Sequence, residues 1–310
     1  MYNLLKYKII KPIWHSKLSY EIRGYVFIKF EKLTNYYLLR KKFKKKHGYK
    51  LKLDNPKTFS EKVNYKKLFD NSHLIPITAD KVKVRDYVRE VLGDEEGDKI
   101  LVPLLIVTDN PKEIPFNNMP NNIVIKSNHG SGQNIFIRNI NEVNKNDIIN
   151  ECMYWLNRPY GLFGHEWYYL YINRKVIVEK IINDNNGNIP WDYKFYIFHG
   201  KAELLHVDFD RQKRLKRTFY EPRTWKYLNI KYKRDMGPKI EKPKNLAKMI
   251  EIAEALGAKF DFVRVDLYNV NGQIYFGEIS HGITSGMGKF EPENIELELG
   301  KKWKLNTHED

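Results

Sequence analysis

The sequence predicts an α+β fold, and three observations carry that expectation. The first hundred residues hold helical patterns with cap signals. From Leu101 onward, short runs rich in β-branched and aromatic residues alternate with Gly, Pro, Asn and Asp, as mainly antiparallel strands do. No apolar run approaches the roughly 18 residues that cross a bilayer. With 310 residues, 42% of them hydrophobic and 14% aromatic, the chain can build a two-lobed globular body with a short extra region.

In order along the chain, residues 1–50 are mostly helical by pattern, and Asn55-Pro56 ends that region. Thr58-x-x-Glu61 then fits a capping box opening a helix to about Phe69. Thr78 or Asp80 can cap a further helix that runs to Leu92 and stops at Gly93. Strands are expected at Leu101 to Thr108, Ile123 to Lys126, Asn134 to Arg138, Lys175 to Ile182, Trp191 to Phe198 and Glu203 to Asp208. Apolar residues at 246, 249, 250, 253 and 256 predict a helix ending at Gly257, followed by strands Phe260 to Tyr268 and Gln273 to Ser280.

The net charge of +16 is concentrated at the start: residues 1–50 carry fourteen Lys and Arg against Glu21 and Glu31. With aromatic and aliphatic residues interleaved, this block suits an anionic membrane surface, a polyanionic substrate or nucleic acid, or is a solvated basic face. No recognisable nucleic-acid reader accompanies it, so no nucleic acid partner is expected. Met1 to Pro12 is interrupted by Lys6, Lys8 and Lys11 and lacks a small-residue cleavage site, so it does not read as a signal peptide, and a cytoplasmic protein is expected. Cys152 is the sole cysteine, which leaves no internal disulfide and suggests a buried, inert thiol.

Three constellations can carry chemistry. In the strand–loop–strand run Ile123 to Ile137, Gly130 and Gly132 free the backbone to turn N–H groups toward a phosphate. Ser127 and Ser131 add donors there, and Lys126 adds a point charge. An ordinary flexible hairpin has the same pattern, and no Walker loop is present. In the hairpin Phe260 to Ser280, register decides the outcome. A three-residue loop Val270 to Gly272, with Gly272 in a left-handed bulge, would put Arg264, Asp266 and Glu278 on one face; a two-residue Asn271-Gly272 turn would send Glu278 to the other. Two carboxylates and a guanidinium on one face suit magnesium and polyphosphate, or make a surface salt bridge. Third, Glu179 and Lys180 end a strand, where Glu179 can accept from an adenine amino group or form a local ion pair.

Taken in this order, the pieces resemble the ATP-grasp superfamily, in which nucleotide lies between two α+β lobes. Asp80-Lys81-x-x-x-Arg85 resembles the start of the nucleotide lobe, with Arg85 in place of a basic phosphate contact. Lys126 and its loop resemble the phosphate-covering hairpin, and Glu179 to Ile182, with Lys180, the adenine hinge. Arg264 and Lys126 stand as the catalytic residues, and Asp266 and Glu278 as the metal carboxylates.

More closely, the chain is similar to the TupA-like ATP-grasp proteins of bacterial envelope polysaccharide pathways. The shared pattern is Asn55 to Lys62, Ala79 to Lys81, Lys126 to Gly132, Glu166-Trp167, Asp192-Tyr-Lys194-Phe195 and Gly277-Glu278, with Lys194 as a nucleotide contact. The resemblance implies ATP and Mg2+ as cofactors and activation of a carboxylate as an acyl phosphate for attack by an amine. It implies a basic helical region over 1–75, a nucleotide lobe over 76–182 and a catalytic, metal-binding lobe over 183–310. Where many ATP-grasp enzymes have Asn two residues after the metal Glu, this chain has Ser280, a poorer ligand.

For the second substrate, Arg211, Lys213, Arg214, Lys216 and Arg217 crowd a loop that would attract an anionic sugar or polysaccharide precursor, or would simply be solvated. Arg211 also falls where TupA-like sequences tend to keep an arginine. His281 can contact substrate or serve its Gly-rich turn. The function expected is a ligase joining an amino acid or amine to a uronic acid of a capsule, teichuronic acid or O-antigen precursor. Phosphate transfer to a hydroxyl, or service to a glycosyl transfer, uses the same nucleotide residues. Residues 1–50 would sit against an anionic membrane.

Overall fold

The computed structural model describes residues 17–184, 187–209 and 214–305. Among these, helices come first: α1 (Lys17–Leu33), α2 (Tyr37–His47), α3 (Phe59–Phe69), α4 (Leu74–Ala79), α5 (Val84–Leu92) and α6 (Asp94–Ile100). Then follow β1 (Leu104–Thr108), β2 (Ile123–Ser127), β3 (Asn134–Ile137), α7 (Lys145–Leu156), β4 (Val176–Lys180), β5 (Asp192–Phe198), β6 (Lys201–Phe209) and β7 (Lys216–Tyr220). Short β8 (Tyr227–Leu228), β9 (Lys231–Tyr232) and β10 (Asp235–Met236) precede α8 (Leu246–Gly257), β11 (Phe262–Val270), β12 (Gln273–Ser280), β13 (Phe290–Glu291) and α9 (Asn294–Lys302). No described helix is long and apolar enough to cross a membrane.

Local signals explain most of these boundaries. The capping box forms, with the Thr58 side chain accepting from Glu61 N and the Glu61 carboxylate accepting from Thr58 N. The start expected at Thr78 or Asp80 does not: α4 ends at Ala79, and α5 begins at Val84. Asp80 is drawn away from capping α5, because its carboxylate accepts from Val82 N at 2.9 Å and from the Asn128 amide at 2.9 Å. Gly93, at φ +82, stops α5 as expected. Asn144 caps α7 by accepting from Asn146 N and Asp147 N.

The chain divides into two compact units that interleave in sequence. The smaller takes residues up to Tyr37, Asp80–Val82 and Pro103–Ile181. Its antiparallel sheet has the order β1-β4-β2-β3. The central strands β4 and β2 are buried on both faces, which is why they read as nearly continuous apolar runs. Ile123, Ile125, Val176 and Val178 pack with Ile148, Cys152 and Trp155 of α7. Burial pushes the Cys152 thiol up to about 12, with Glu151 adding to the shift, so it is inert as expected.

The larger unit takes Leu38–Ala79, Lys83–Val102 and the chain from Ile182 onward. Its sheet runs β10-β7-β6-β5-β11-β12, with β8 against β7, and all neighbours are antiparallel except β10 and β7. Period-2 alternation sends Tyr193, Phe195, Ile197, Leu205, Val207, Val263, Val265 and Leu267 to one face, under α5 and α8. Gly257 lets α8 approach closely, since a Cβ there would lie 2.6 Å from the Ile197 side chain. The opposite face changes character along the strands. At one end Phe198, Leu204, Phe219 and Phe262 pack under Phe59, Phe290 and Trp303. At the other end the same face carries Asp192, Lys194, His206, Asp208, Arg217 and Asp266, all buried.

Candidate active site

In the smaller unit the β2–β3 hairpin is closed by Lys126 opposite Asn134, and Ser127 N donates to the Gln133 carbonyl at 3.2 Å. Its base is tied down by a residue outside the sequence-derived set. Asn128 is fully buried; its amide donates to Asp80 and to the Asn173 carbonyl, both at 2.9 Å, and its carbonyl accepts from Lys175 N at 2.7 Å. His129, also fully buried, places one ring nitrogen 3.2 Å from the Asn128 side-chain oxygen and the other 3.2 Å from the Trp155 carbonyl. Burial, helped by the charge of Arg174, lowers its pKa to about 4, so the ring is neutral and donates to one of the two.

The two glycines of this loop have separate reasons. A Cβ on Gly130 would meet the Gln133 side chain at 2.3 Å, whereas Gly132 sits at φ +74. Lys81 reaches the Gly130 carbonyl at 2.5 Å. Ser131 and Gly132 at the tip are exposed, beyond an anchored base. Lys126 Nζ and the Glu179 carboxylate meet at 2.7 Å across β2 and β4, so Glu179 is engaged by Lys126 rather than by its neighbour Lys180, which is exposed at the strand end.

In the larger unit the expected hairpin register is corrected. The β11–β12 turn is the two-residue Asn271-Gly272 form, with both residues at positive φ and Val270 opposite Gln273. That turn alone would separate the carboxylates. A bulge at Gly277 restores them: Leu267 faces Phe276, but Asp266 faces Glu278 and Arg264 faces Ser280. Glycine is required there because a Cβ would lie 2.9 Å from the Asp266 carbonyl oxygen. The bulge therefore sits next to the carboxylates rather than at the turn, and the shared face is kept by a different device from the one expected.

Arg264 organises this face. It grips Asp266 through two bonds of 2.6 and 2.7 Å and reaches Glu278 and the Ser280 hydroxyl, each at 3.1 Å. Lys194 bridges Asp266 and Asp192, the latter at 2.7 Å. Burial pushes the Asp266 carboxyl up to about 6 against the pull of Arg264 and Lys194. Burial also opposes the charge of Arg264, but Asp266 outweighs it and holds the guanidinium above its usual range. Three carboxylates therefore face two cations in this group, and the Glu278 side chain stays 40% exposed.

These donors fit magnesium. They are all oxygen, they carry excess negative charge, and one is open to solvent. Among the described residues no group of three or more His, Cys, Asp or Glu converges on one point. Two carboxylates suffice for a magnesium ion that takes its remaining ligands from water and phosphate.

The acceptor residues fare differently. Arg211 lies outside the described residues. Arg217 is not in a loop but in β7, buried, where it holds Asp208 through bonds of 2.6 and 2.9 Å. Burial works against the Asp208 charge, but His206 and Arg217 outweigh it and keep its carboxyl below the ordinary range. His281 is buried, with Nε2 2.8 Å from the Thr78 hydroxyl; burial, with Lys66, holds its pKa well below the usual value. Arg85 donates to the Val102 carbonyl at 2.9 Å, and Ile182 is half-buried beyond β4.

No curated protein matches this sequence significantly. Among solved structures, D-alanine–D-alanine ligase from Bacillus anthracis is similar at 17% identity over 66% of this chain and 57% of that one, with a TM-score of 0.38. The same ligase from Helicobacter pylori gives 14% identity over 74% and 62%, TM-score 0.40. N5-carboxyaminoimidazole synthase from Aspergillus clavatus gives 10% over 66% and 44%, TM-score 0.37. The chain thus spans less than two thirds of each, and at these TM-scores the likeness carries no weight of its own. A family model described as TupA-like ATPgrasp matches residues 60–304, which takes in the β2–β3 hairpin, the Gly277 bulge and Asp192, Asp266 and Glu278. The chain belongs to the TupA-like ATP-grasp family.

Proposed function

We propose that this chain is a magnesium-ATP-dependent ligase that activates a carboxylate as an acyl phosphate and joins it to an amine. The observation that carries the reading is Arg264 bridging Asp266 and Glu278 on one sheet face of an ATP-grasp family member. Asp266 and Glu278 would hold magnesium, whose charge lowers the barrier to phosphoryl transfer by offsetting negative charge on the phosphates. Arg264 steadies charge on the transferring group while its grip on Asp266 fixes both side chains. Arg264 and, next to it, Lys194 favour the ionised form of Asp266 against its burial. Lys126 and the exposed tip at Ser131 and Gly132 would take nucleotide phosphate, and Asn128 and His129 hold the base of that loop. The carboxylate oxygen attacks the terminal phosphorus and ADP leaves; the amine then displaces phosphate.

The carboxylate substrate we assign is a uronic acid of an envelope polysaccharide precursor, and the nucleophile an amino acid or amine. This assignment rests on the TupA-like family and on the basic run around Arg211, Arg214 and Lys216. The test is ADP release by purified protein against nucleotide-linked uronic acids crossed with amino acids, with product masses recorded. The reading expects ADP only when a carboxylate acceptor is present and an amide in the product, with activity lost in Lys126→Ala and Glu278→Gln. A phosphorylated product without an amide would instead select phosphate transfer to a hydroxyl.

A further inference from the structure

Helix α1 packs on its unit through one face and presents an unusual one to solvent. Tyr20, Gly24, Phe27 and Glu31 line the inner face: Gly24 lies against Leu162, where a Cβ would sit 1.9 Å from the Leu162 side chain, and Phe27 meets Phe163 edge-on at 5.1 Å. A surface helix of a globular protein normally turns polar residues outward. Here the outward face carries Ile22, Tyr25, Val26, Phe30 and Leu33, with Ile22 55%, Val26 60% and Leu33 86% exposed. Spacings of three, four and seven residues place them in one stripe.

The charges of α1 are sorted in the opposite sense. Glu31 is fully buried and its carboxylate meets His165 Nε2 at 3.1 Å; Glu21 lies 3.8 Å from Arg174 of the same unit. Glu31 is thus turned to the protein, while Glu21, 47% exposed, is paired with Arg174 at the margin of the helix. Lys29 lies within the apolar stripe, its ammonium 4.8 Å from the Tyr25 ring, and Lys32 and Arg23 flank it. The exposed stripe and its flanking Lys29, Lys32 and Arg23 are thus aliphatic, aromatic and cationic. They suit a surface that is apolar beneath and negative above.

We propose that the outer face of α1 docks on an anionic lipid surface, with Ile22, Val26, Phe30 and Leu33 entering the acyl boundary and Arg23, Lys29 and Lys32 meeting lipid phosphate. The occupant follows from charge: a second copy of the same face would bring six cations together, whereas a negative headgroup layer neutralises three. This docking is independent of the ligase chemistry.

The test is flotation of the full-length protein with phosphatidylcholine vesicles, with and without phosphatidylglycerol, at low and high salt. Wild type is expected to float only with the anionic vesicles and to be released by salt. Val26→Glu/Leu33→Glu and, separately, Lys29→Glu/Lys32→Glu are expected to lower that binding about tenfold or more, with unchanged circular dichroism and melting, because all four side chains are exposed. The proposal is overturned if wild type ignores anionic vesicles or if both variants bind as wild type does. It is equally overturned if wild type sediments as a dimer that Val26→Glu/Leu33→Glu dissolves while no vesicle binding occurs.

Discussion

The β2–β3 hairpin and the charged face of the β5–β11–β12 sheet hold their functional groups by opposite means. At the hairpin, hydrogen bonds around Asn128 and His129 fix the base and leave Ser131 and Gly132 exposed at the tip. On the sheet, Arg264, Asp266 and Lys194 fix one another by buried ion pairs. At the tip of the first, the atoms that would touch a ligand are separate from those that maintain the fold. In the second, at Asp266, they would be the same atoms, so there function and stability cannot be varied apart.

The largest effect is expected from Asp266→Asn, which leaves Arg264 and Lys194 buried without their shared partner. We expect a loss of about 3 to 5 kcal/mol in urea unfolding together with loss of ADP release; unchanged stability would remove the distinction. Next is pH. His129 has a folded pKa of about 4 against an ordinary 6.5, so the unfolded chain takes up that proton first. Its contribution to stability is intact above about 6.5 and lost as pH falls toward about 4, up to about 3 kcal/mol. His129→Gln should flatten that part of the stability–pH curve, read by thermal melts across the window.

Asn128→Ala removes three well-formed bonds at the hairpin base and is expected to cost about 2 kcal/mol, with weaker nucleotide binding in titration calorimetry. Smallest is Ser131→Ala at the tip. Its melt should move by no more than about 0.5 kcal/mol equivalent while the KM for ATP rises. A stability loss at Ser131 as large as at Asn128 would show that tip and base are not separable.

What could be read from the residues differs between the two regions as well. The hairpin run 123–137, the Thr58 capping box and α8 were legible because each is written in contiguous spacing. Asn128 was not, since its partners Asp80, Asn173 and Lys175 lie about 45 or more residues away in sequence. The Arg264–Asp266–Glu278 face was legible in its residues but not in its register: the Asn271-Gly272 turn gives the two-residue form, and nothing local announces that Gly277 rather than Gly272 is bulged. Arg217 reads as one more member of a basic loop until strand pairing sets it opposite Asp208. The start of α5 was misplaced because Asp80 spends its carboxylate on Asn128 as well as Val82.

The most direct measurement is magnesium dependence of ATP binding in Glu278→Gln, by titration calorimetry with and without Mg2+. Glu278 is partly exposed, so the fold tolerates the change. ATP binding without Mg2+ is expected to be unchanged, while the Mg2+ concentration needed to strengthen it rises about tenfold or more. A variant whose binding responds to Mg2+ as wild type does would contradict the assignment of the metal to the Gly277 bulge face.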